Sequence, residues 1–457
     1  MTTTIALRPG ISRDTHARAV SSRLALVAAL GLTLAGCGIF KHGSHKTPTV
    51  GERVPILVSE QPAEIDKTLA TVTVSLPPAT VNESWAQAGG SADKSNGQLA
   101  LAASPQRLWT ATITGGTDRA RLGASPVIDG GKLFAIDVNA VVHAIDANSG
   151  APLWQTPLAE GKKGRFARFG GGVSVEEGRV YATDGLGDVV ALSVADGKQL
   201  WRVKPGGPLR GSPTLANGNV YVLSQDNQLF ALSETDGSIV WTQTGSIESQ
   251  GVFGVAAPAS SQGTIVAGFS SGELNAYRYE NGRVLWQDAL SRTSATTSVS
   301  SLADVDADPV IEDGRVYAVG QGGRMVAVDI STGQRVWEQN FAGISTPWIA
   351  GEWLFIVTDD ARLVCVARAT GKVRWITQLQ HFRKEKARKD QVTWFGPVLA
   401  GGKLVLTNSL GQLAYRSPTD GAAISDEKQK VPYTLPPVVA NSTLYTIDER
   451  GRISAYR

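Results

Sequence analysis

Short runs of alternating apolar and polar residues, separated by turns that contain glycine, extend from about residue 108 to the carboxy terminus. The clearest stretch, 308–341, holds four such runs, with turns at Asp313-Gly314, Gln321-Gly322-Gly323 and Thr332-Gly333. Successive side chains of a strand point to opposite faces, so a period of two between glycine turns predicts strands rather than a helix. The stretch is therefore expected to form a meander of four antiparallel strands.

The same unit recurs with one spacing. A turn glycine is followed 19 positions later by a second glycine, and a tryptophan lies four positions beyond it, in five sets: Gly131, Gly150, Trp154; Gly178, Gly197, Trp201; Gly218, Gly237, Trp241; Gly263, Gly282, Trp286; and Gly314, Gly333, Trp337. Two further units depart slightly from this spacing, one with Gly351, Gly371 and Trp375 and one with Gly402, Gly421 and Ser425. An eighth begins at Pro436 and stops at Arg457, before its second turn.

Repeats of four strands over roughly 40–50 residues are typical of β-propellers, in which each blade buries its faces against its neighbours. We predict an all-β fold, an eight-bladed β-propeller of four-stranded antiparallel blades over residues 106–457. The eighth unit lacks a fourth strand. The isolated strand Leu108–Ile113, which carries Trp109, is expected to complete the last blade, so that an N-terminal strand closes the ring.

Residues 1–36 have the features of a secretory signal peptide, since four arginines precede the apolar run Leu24–Leu34, which is too short to span a membrane. The run ends in Leu34-Ala35-Gly36-Cys37, which resembles the lipobox of bacterial lipoproteins. That resemblance implies acylation of Cys37 and, because Gly38 rather than Asp follows, an outer-membrane location. Residues 37–105 are expected to form a lipid-anchored tether, with Trp85–Gly90 lying against the propeller.

The charge balance argues against nucleic acid as a partner. The chain has 44 Lys and Arg and 41 Asp and Glu, and the segment 1–36 holds four Arg and one Asp, so the mature chain has 40 of each. A net charge of zero without a basic stripe is not typical of nucleic-acid binding. His42 and His45 lack further ligands, so they predict a solvated linker and no metal site.

Several residues of catalytic type have simpler structural interpretations. Cys365 is the only cysteine besides Cys37, and it occupies a strand position where five earlier units have alanine, which predicts a buried small residue. Residues 268–272 match G-x-S-x-G, but they fall at a turn between two strands of a blade, which predicts a hairpin rather than a hydrolase elbow. The repeated tryptophans are expected to dock between neighbouring blades.

Two charged stretches leave alternatives open. Asp304-Val-Asp306-Ala-Asp308 resembles the start of a calcium loop, but Pro309 and Arg315 stand where Gly and Glu are needed. The stretch predicts either turn capping in a solvated loop or an acidic contact for a basic partner. Residues 381–390 carry five Lys or Arg and two acids, which predicts a solvated loop or a contact with a partner or with lipid headgroups.

The repeats resemble the propeller motif A-x-D-x-x-T-G-x-x-x-W, which stretches 144–154 and 327–337 match most clearly. The motif is shared by quinoprotein dehydrogenases and by the BamB family of outer-membrane assembly lipoproteins. The BamB resemblance is closer, because it covers the lipobox, the tether, the array of eight repeats and the Asp-Val-Asp loop before a Pro-Val strand. It implies a non-catalytic, cofactor-free scaffold of the β-barrel assembly machinery at the periplasmic face of the outer membrane.

The resemblance also implies partners and site residues. Members of the family bind a periplasmic POTRA domain of BamA and assemble with other subunits of the machinery. Independently of the resemblance, the exposed edges of the blades predict a second role, in which a strand of an unfolded outer membrane protein pairs with a blade. The acidic pair of their Asp-Val-Asp loop matches Asp304 and Asp306. A second family loop, Leu-x-Leu-Arg-Gly, falls by repeat register at residues 247–254, where the sequence offers Phe253; Leu209-Arg210-Gly211 matches its letters one blade earlier. We expect Asp304, Asp306, Phe253 and Arg210 to contribute to the BamA surface.

Two other functions are compatible with a propeller. A pyrroloquinoline-quinone-dependent dehydrogenase is disfavoured, because the adjacent Cys-Cys pair of that family cannot be formed by Cys37 and Cys365. A periplasmic propeller that binds carbohydrate or peptidoglycan would use exposed aromatic residues, and the repeated tryptophans are already explained by packing between blades.

Overall fold

A computed structural model describes residues 63–117, 120–158, 171–246, 256–290 and 304–457, all of which belong to one compact unit. Within these residues the strands form eight four-stranded antiparallel sheets and one additional two-stranded hairpin. The predicted all-β, eight-bladed propeller is confirmed. The helices among the described residues are two 3-10 turns, Lys67–Leu69 and Glu385–Ala387, and neither is long enough to cross a membrane.

Each blade is named by its order in the chain, and its strands run from the innermost to the outermost. The first four blades are blade 1, β2 (Val127–Asp129), β3 (Lys132–Ile136), β4 (Val141–Asp146), β5 (Pro152–Pro157); blade 2, β6 (Gly171–Glu176), β7 (Arg179–Asp184), β8 (Val189–Ser193), β9 (Gln199–Val203); blade 3, β10 (Thr214–Ala216), β11 (Asn219–Leu223), β12 (Gln228–Ser233), β13 (Ile239–Thr244); and blade 4, β14 (Ala259–Ser261), β15 (Thr264–Gly268), β16 (Glu273–Arg278), β17 (Val284–Ala289).

The remaining strands complete the ring and add the hairpin. They are blade 5, β18 (Val310–Glu312), β19 (Arg315–Gly320), β20 (Arg324–Asp329), β21 (Arg335–Gln339); blade 6, β22 (Trp348–Ala350), β23 (Trp353–Val357), β24 (Arg362–Ala367), β25 (Val373–Gln378); the hairpin, β26 (Phe382–Lys384) and β27 (Lys389–Gln391); blade 7, β28 (Trp394–Ala400), β29 (Lys403–Asn408), β30 (Gln412–Arg416), β31 (Ala423–Lys428); and blade 8, β32 (Val438–Ala440), β33 (Thr443–Ile447), β34 (Arg452–Tyr456) and β1 (Arg107–Thr112).

The two ends of the propeller are joined in blade 8, as predicted. Strand β1 pairs antiparallel with β34, with Trp109 opposite Ala455. Just before the strand, the Gln106 N–H donates to the Arg457 carbonyl at 2.7 Å, and just after it the Ile113 N–H donates to the Gly451 carbonyl at 3.0 Å. The last blade therefore takes its outer strand from the amino-terminal side and leaves no open gap in the ring.

The conserved spacing of glycine and tryptophan within the repeats has a packing cause. Each tryptophan packs on the second turn glycine of the next blade, and its indole N–H donates to a carbonyl there, in seven pairs: Trp109 to Ala147, Trp154 to Val194, Trp201 to Glu234, Trp241 to Tyr279, Trp286 to Ile330, Trp337 to Arg368 and Trp375 to Pro418. The predicted docking between blades is confirmed, and the same geometry explains Ser425. Blade 8 is closed by β1 and has no second turn, so blade 7 has no glycine on which a tryptophan could pack.

This packing predicts different costs for two glycines of blade 5. Both Gly314 and Gly333 have positive φ, +73° and +72°, which costs an alanine roughly 1–2 kcal/mol. A Cβ on Gly314 would meet open space, whereas a Cβ on Gly333 would lie 2.6 Å from the Trp286 side chain. We expect Gly333→Ala to lower the free energy of unfolding by about 1–3 kcal/mol more than Gly314→Ala. Urea unfolding of both variants measures the difference, and equal losses would contradict the packing role.

The antiparallel order of the strands gives the ring two distinct faces. Within a blade, the turns between the first and second strands and between the third and fourth strands lie at one end, which we call the turn face. The turns between the second and third strands and the connections from one blade to the next lie at the other end, which we call the loop face. The sequence 304–309 leads into blade 5 and therefore belongs to the loop face.

A single extended segment, residues 82–99, lines the central channel near the turn face; we call it the collar. It contacts all eight blades in ring order through hydrogen bonds that join Asn82 to Asn441, Trp85 to Ile128, Ala86 to Val175, Gln87 to Leu215, Ala92 to Ser260, Asp93 to Ile311, Gly97 to Trp348 and Leu99 to Leu399. The predicted contact of Trp85–Gly90 with the propeller is confirmed and located here. Trp85 is 4% exposed and stacks on Trp348, with ring centroids 6.2 Å apart.

A cavity of about 360 Å³ lies between the collar and the loops that lead into the blades. Trp85 and Lys94 of the collar form part of its lining, together with Asp306 and Phe395 from the blades. The Lys94 ammonium donates to the Ala88 carbonyl at 2.7 Å, and burial lowers the pKa of Lys94 to about 8. Asp306 and Gln321 also line the cavity, so it extends from the collar to the part of the loop face where the candidate site lies.

Candidate functional site

The loop that leads into blade 3 places Arg210 beside the central cavity. The Arg210 N–H donates to the Leu223 carbonyl at 2.8 Å, and its own carbonyl accepts from the Gly171 N–H of blade 2 at 3.2 Å. The neighbouring Leu209 is fully buried. Because the backbone is fixed between two blades and the apolar side chain of Leu209 faces the core, the guanidinium is directed across the loop face.

Arg210 meets both carboxylates of the loop that leads into blade 5. Its Nη2 lies 2.7 Å from Asp304 Oδ1 and 3.2 Å from Asp306 Oδ1. The exposed fraction of the side chain is 1% for Arg210, 1% for Asp304 and 8% for Asp306. We call these three residues the ion triad. The triad joins the loops of blades 3 and 5 across blade 4.

Gln321 completes the polar network from within blade 5. Its side-chain N–H donates to Asp306 Oδ2 at 2.8 Å, and its backbone N–H donates to the Asp304 carbonyl at 2.9 Å. In the sequence, Gln321 is recognisable only as a turn residue. Gln321 lies in the turn between the second and third strands of blade 5, which places it on the same face as the Asp304 loop. This position within the repeat could have identified Gln321 as a neighbour of Asp304 from the sequence.

Burial and the neighbouring Asp304 carboxylate raise the pKa of Asp306 to about 7, while the Arg210 charge opposes the rise. Asp308, the third acid of the stretch, is half-buried, and its desolvation raises its pKa. Its Oδ1 accepts from the Ala257 N–H of blade 4 at 2.7 Å, so it ties the loops of blades 4 and 5 together.

The structure thus brings together three of the four residues expected at the partner surface. Asp304 and Asp306 are bonded within the chain rather than directed at solvent, and Arg210, which matched the family loop in letters but not in register, is their partner. Phe253 lies outside the described residues, as does the expected lipidation site Cys37. Within the described part of the loop face, the triad holds the loops that lead into blades 3 and 5 in position.

The residues of catalytic type have structural roles in the described part of the chain. Residues 268–272 form the turn after β15, where the Gly272 N–H donates to the Phe269 carbonyl at 3.0 Å, so the predicted hairpin is confirmed. Cys365 is fully buried in β24, as predicted, and burial raises the pKa of its thiol. The described residues contain no group of three or more His, Cys, Asp or Glu arranged to hold a metal ion.

Comparisons of the sequence with a family model and with known proteins indicate the same family. The family model described as outer membrane protein assembly factor BamB matches residues 92–157 and 138–377. Outer membrane protein assembly factor BamB of Yersinia pestis is 27% identical over 358 residues, which are 77% of this chain and 89% of that protein.

Solved structures support the same fold. BamB from Moraxella catarrhalis superimposes with a TM-score of 0.64 at 17% identity, covering 78% of this chain and all of that one. Quinohemoprotein alcohol dehydrogenase from Comamonas testosteroni superimposes with a TM-score of 0.65 at 12% identity, covering 83% and 81%. At such identities the superpositions show a common propeller, whereas the family model distinguishes between the two families.

Proposed function

This chain belongs to the family of the outer membrane protein assembly factor BamB, and from that premise we propose that it is a non-catalytic scaffold of the β-barrel assembly machinery that binds BamA through its loop face. The observation that carries the proposal is the ion triad. A buried Arg210 pairs with two buried carboxylates and so holds the loops of blades 3 and 5 in one arrangement. Fixed loops on a rigid ring suit a binding platform, because little ordering is required when the partner docks.

The partners in this proposal are a periplasmic POTRA domain of BamA, the other subunits of the machinery, and unfolded outer membrane proteins. The attachment in this proposal is acylation of Cys37, which would hold the chain at the periplasmic face of the outer membrane. The cavity fits a scaffold, since its lining comes from the collar and from loops that the triad and Asp308 fix.

Co-purification from membranes tests the proposed interface. We expect Arg210→Ala to lose most of the BamA that accompanies the wild-type chain, because the released carboxylates no longer hold the two loops together. Arg368→Ala is the matched control, since Arg368 pairs with Glu312 at 2.7 Å on the turn face. Mass spectrometry of the captured proteins identifies BamA, further subunits and client proteins in the same experiment.

The folded state of each variant is checked by near-ultraviolet circular dichroism before binding is compared. Equal BamA recovery with folded Arg210→Ala and Arg368→Ala would place the interface away from the triad. Absence of BamA from the wild-type preparation would instead contradict the scaffold proposal itself. The mass of the mature chain separately reports acylation at Cys37.

A further inference from the structure

A hairpin on the loop face between blades 6 and 7 carries an unusual concentration of positive charge; we call residues 381–391 the basic hairpin. Its strands β26 and β27 pair with Phe382 opposite Gln391. The hairpin is attached firmly to the propeller, because the Gln391 side chain donates to the Asp359 carbonyl at 2.8 Å and the Trp394 indole donates to the Gln380 carbonyl at 2.9 Å. Every side chain from Arg383 to Gln391 is exposed.

The basic hairpin has five cations and two acids, Glu385 and Asp390, which gives it a formal net charge of +3. No ion pair among the described residues involves its five cations, which are Arg383, Lys384, Lys386, Arg388 and Lys389. The Glu385 carboxylate is turned back to the hairpin backbone, where it accepts from the N–H groups of His381 at 2.8 Å and Phe382 at 3.1 Å. Lys428 and Lys430, both exposed, share a groove with Arg383 and widen the positive surface.

The amino-terminal segment reaches the propeller at the blade from which this hairpin emerges. Ala63 packs against Trp337 and Val373, at the outer strands of blades 5 and 6. The Asp66 N–H donates to the Val373 carbonyl at 2.9 Å, and the Asp66 carboxylate pairs with Lys372 at 3.0 Å. Strand β25 begins at this contact and leads directly into the basic hairpin.

The distance available to the tether fits a membrane contact on this side of the ring. Cys37 precedes Ala63 by 26 positions, and an extended chain of that length spans at most roughly 90 Å. A lipid anchor at one position does not by itself set which face of the propeller is directed at the membrane. A second, electrostatic contact at the opposite, loop-face end of strand β25 would fix that orientation, as in proteins that combine a lipid with a polybasic patch.

We propose that the basic hairpin docks on the anionic phosphate headgroups of the membrane to which the chain is tethered, and that this contact turns the loop face toward that membrane. The identity of the membrane rests on the proposed acylation of Cys37, whereas the docking rests on the charge and exposure of the hairpin. Each basic side chain close to an anionic leaflet strengthens binding by about fivefold, and the effect decreases with salt.

Co-sedimentation with vesicles tests the hairpin separately from the lipid anchor. The protein used is the complete mature chain with Cys37→Ser, a substitution that removes the site of acylation. We expect binding to vesicles of phosphatidylcholine with phosphatidylglycerol and little binding to phosphatidylcholine alone. Arg383→Gln with Arg388→Gln is expected to weaken the former by roughly 10- to 25-fold. The matched control, Arg278→Gln with Arg283→Gln, removes two exposed arginines from the turn face of blade 4 and should bind like the parent chain.

Equal binding to both kinds of vesicle, or an equal loss in both double variants, would overturn the proposal. If the chain ignores anionic vesicles but the hairpin arginines are needed to capture an acidic protein, the surface serves a protein partner and the membrane proposal is wrong. These outcomes are independent of BamA recovery and of the mass of the mature chain, so failure here is distinguishable from failure of the scaffold or of the lipid anchor.

Discussion

Replacing Arg210 with alanine is expected to lower the free energy of unfolding by about 3–5 kcal/mol, one of the two largest effects of a single substitution that we expect in this chain. Arg210 is 1% exposed and pairs with Asp304 at 2.7 Å and with Asp306 at 3.2 Å. Without the guanidinium, two carboxylates remain buried without their cation, and burying unpaired charge is costly. Chemical unfolding followed by tryptophan fluorescence measures the loss.

A neutral version of the triad separates the charge from the packing. The combined substitutions Arg210→Met, Asp304→Asn and Asp306→Asn remove all three charges at similar volume, so they should recover most of the stability lost by Arg210→Ala. If the triple variant is as unstable as Arg210→Ala, the lost stability comes from packing and not from unpaired buried carboxylates. Recovery of BamA by the stable triple variant would further show that loop position, rather than charge, is what the partner needs.

The ring itself was predictable because its determinants are local and repeated. The spacing of turn glycines and tryptophans reports a contact made once per blade, so each copy supports the others. Closure through Trp109 could be predicted because the last unit ends one strand short and an isolated strand of the same type lies near the start of the propeller. The departure at Ser425 was visible in the sequence, but its cause became clear only from the closure geometry.

The candidate site was less predictable because it depends on how far side chains reach across the ring. The repeat register placed the family's second loop at 247–254, whereas the cation that meets Asp304 comes from one blade earlier, through the long side chain of Arg210. The collar was even less predictable from the sequence. Its contacts follow no repeat, and they join positions as distant in sequence as Asn82 and Asn441, so no local pattern indicates them.

Replacing Trp85 with alanine is the second substitution for which we expect a loss of about 3–5 kcal/mol in the free energy of unfolding. The indole is 4% exposed and stacks on Trp348, and the Trp85 backbone exchanges two hydrogen bonds with Ile128, at 2.7 and 2.9 Å. Because one continuous segment bonds to the inner strand of each blade in turn, loosening it at Trp85 should release its contacts beyond blade 1. We expect faster amide hydrogen exchange at Val175, Leu215, Ser260 and Ile311.

Trp154→Ala is the matched control. Trp154 lies in strand β5 of blade 1, but it packs outward against blade 2, where its indole N–H donates to the Val194 carbonyl at 3.1 Å. Loss of the Trp154 side chain should speed amide hydrogen exchange only near the junction of blades 1 and 2, since this side chain is not part of a segment that contacts the other blades. A Trp85→Ala variant whose exchange rises only in blade 1 would mean that the collar is a series of independent contacts. Exchange that rises around the whole channel would instead make the collar a structural element that binds the eight blades together from inside.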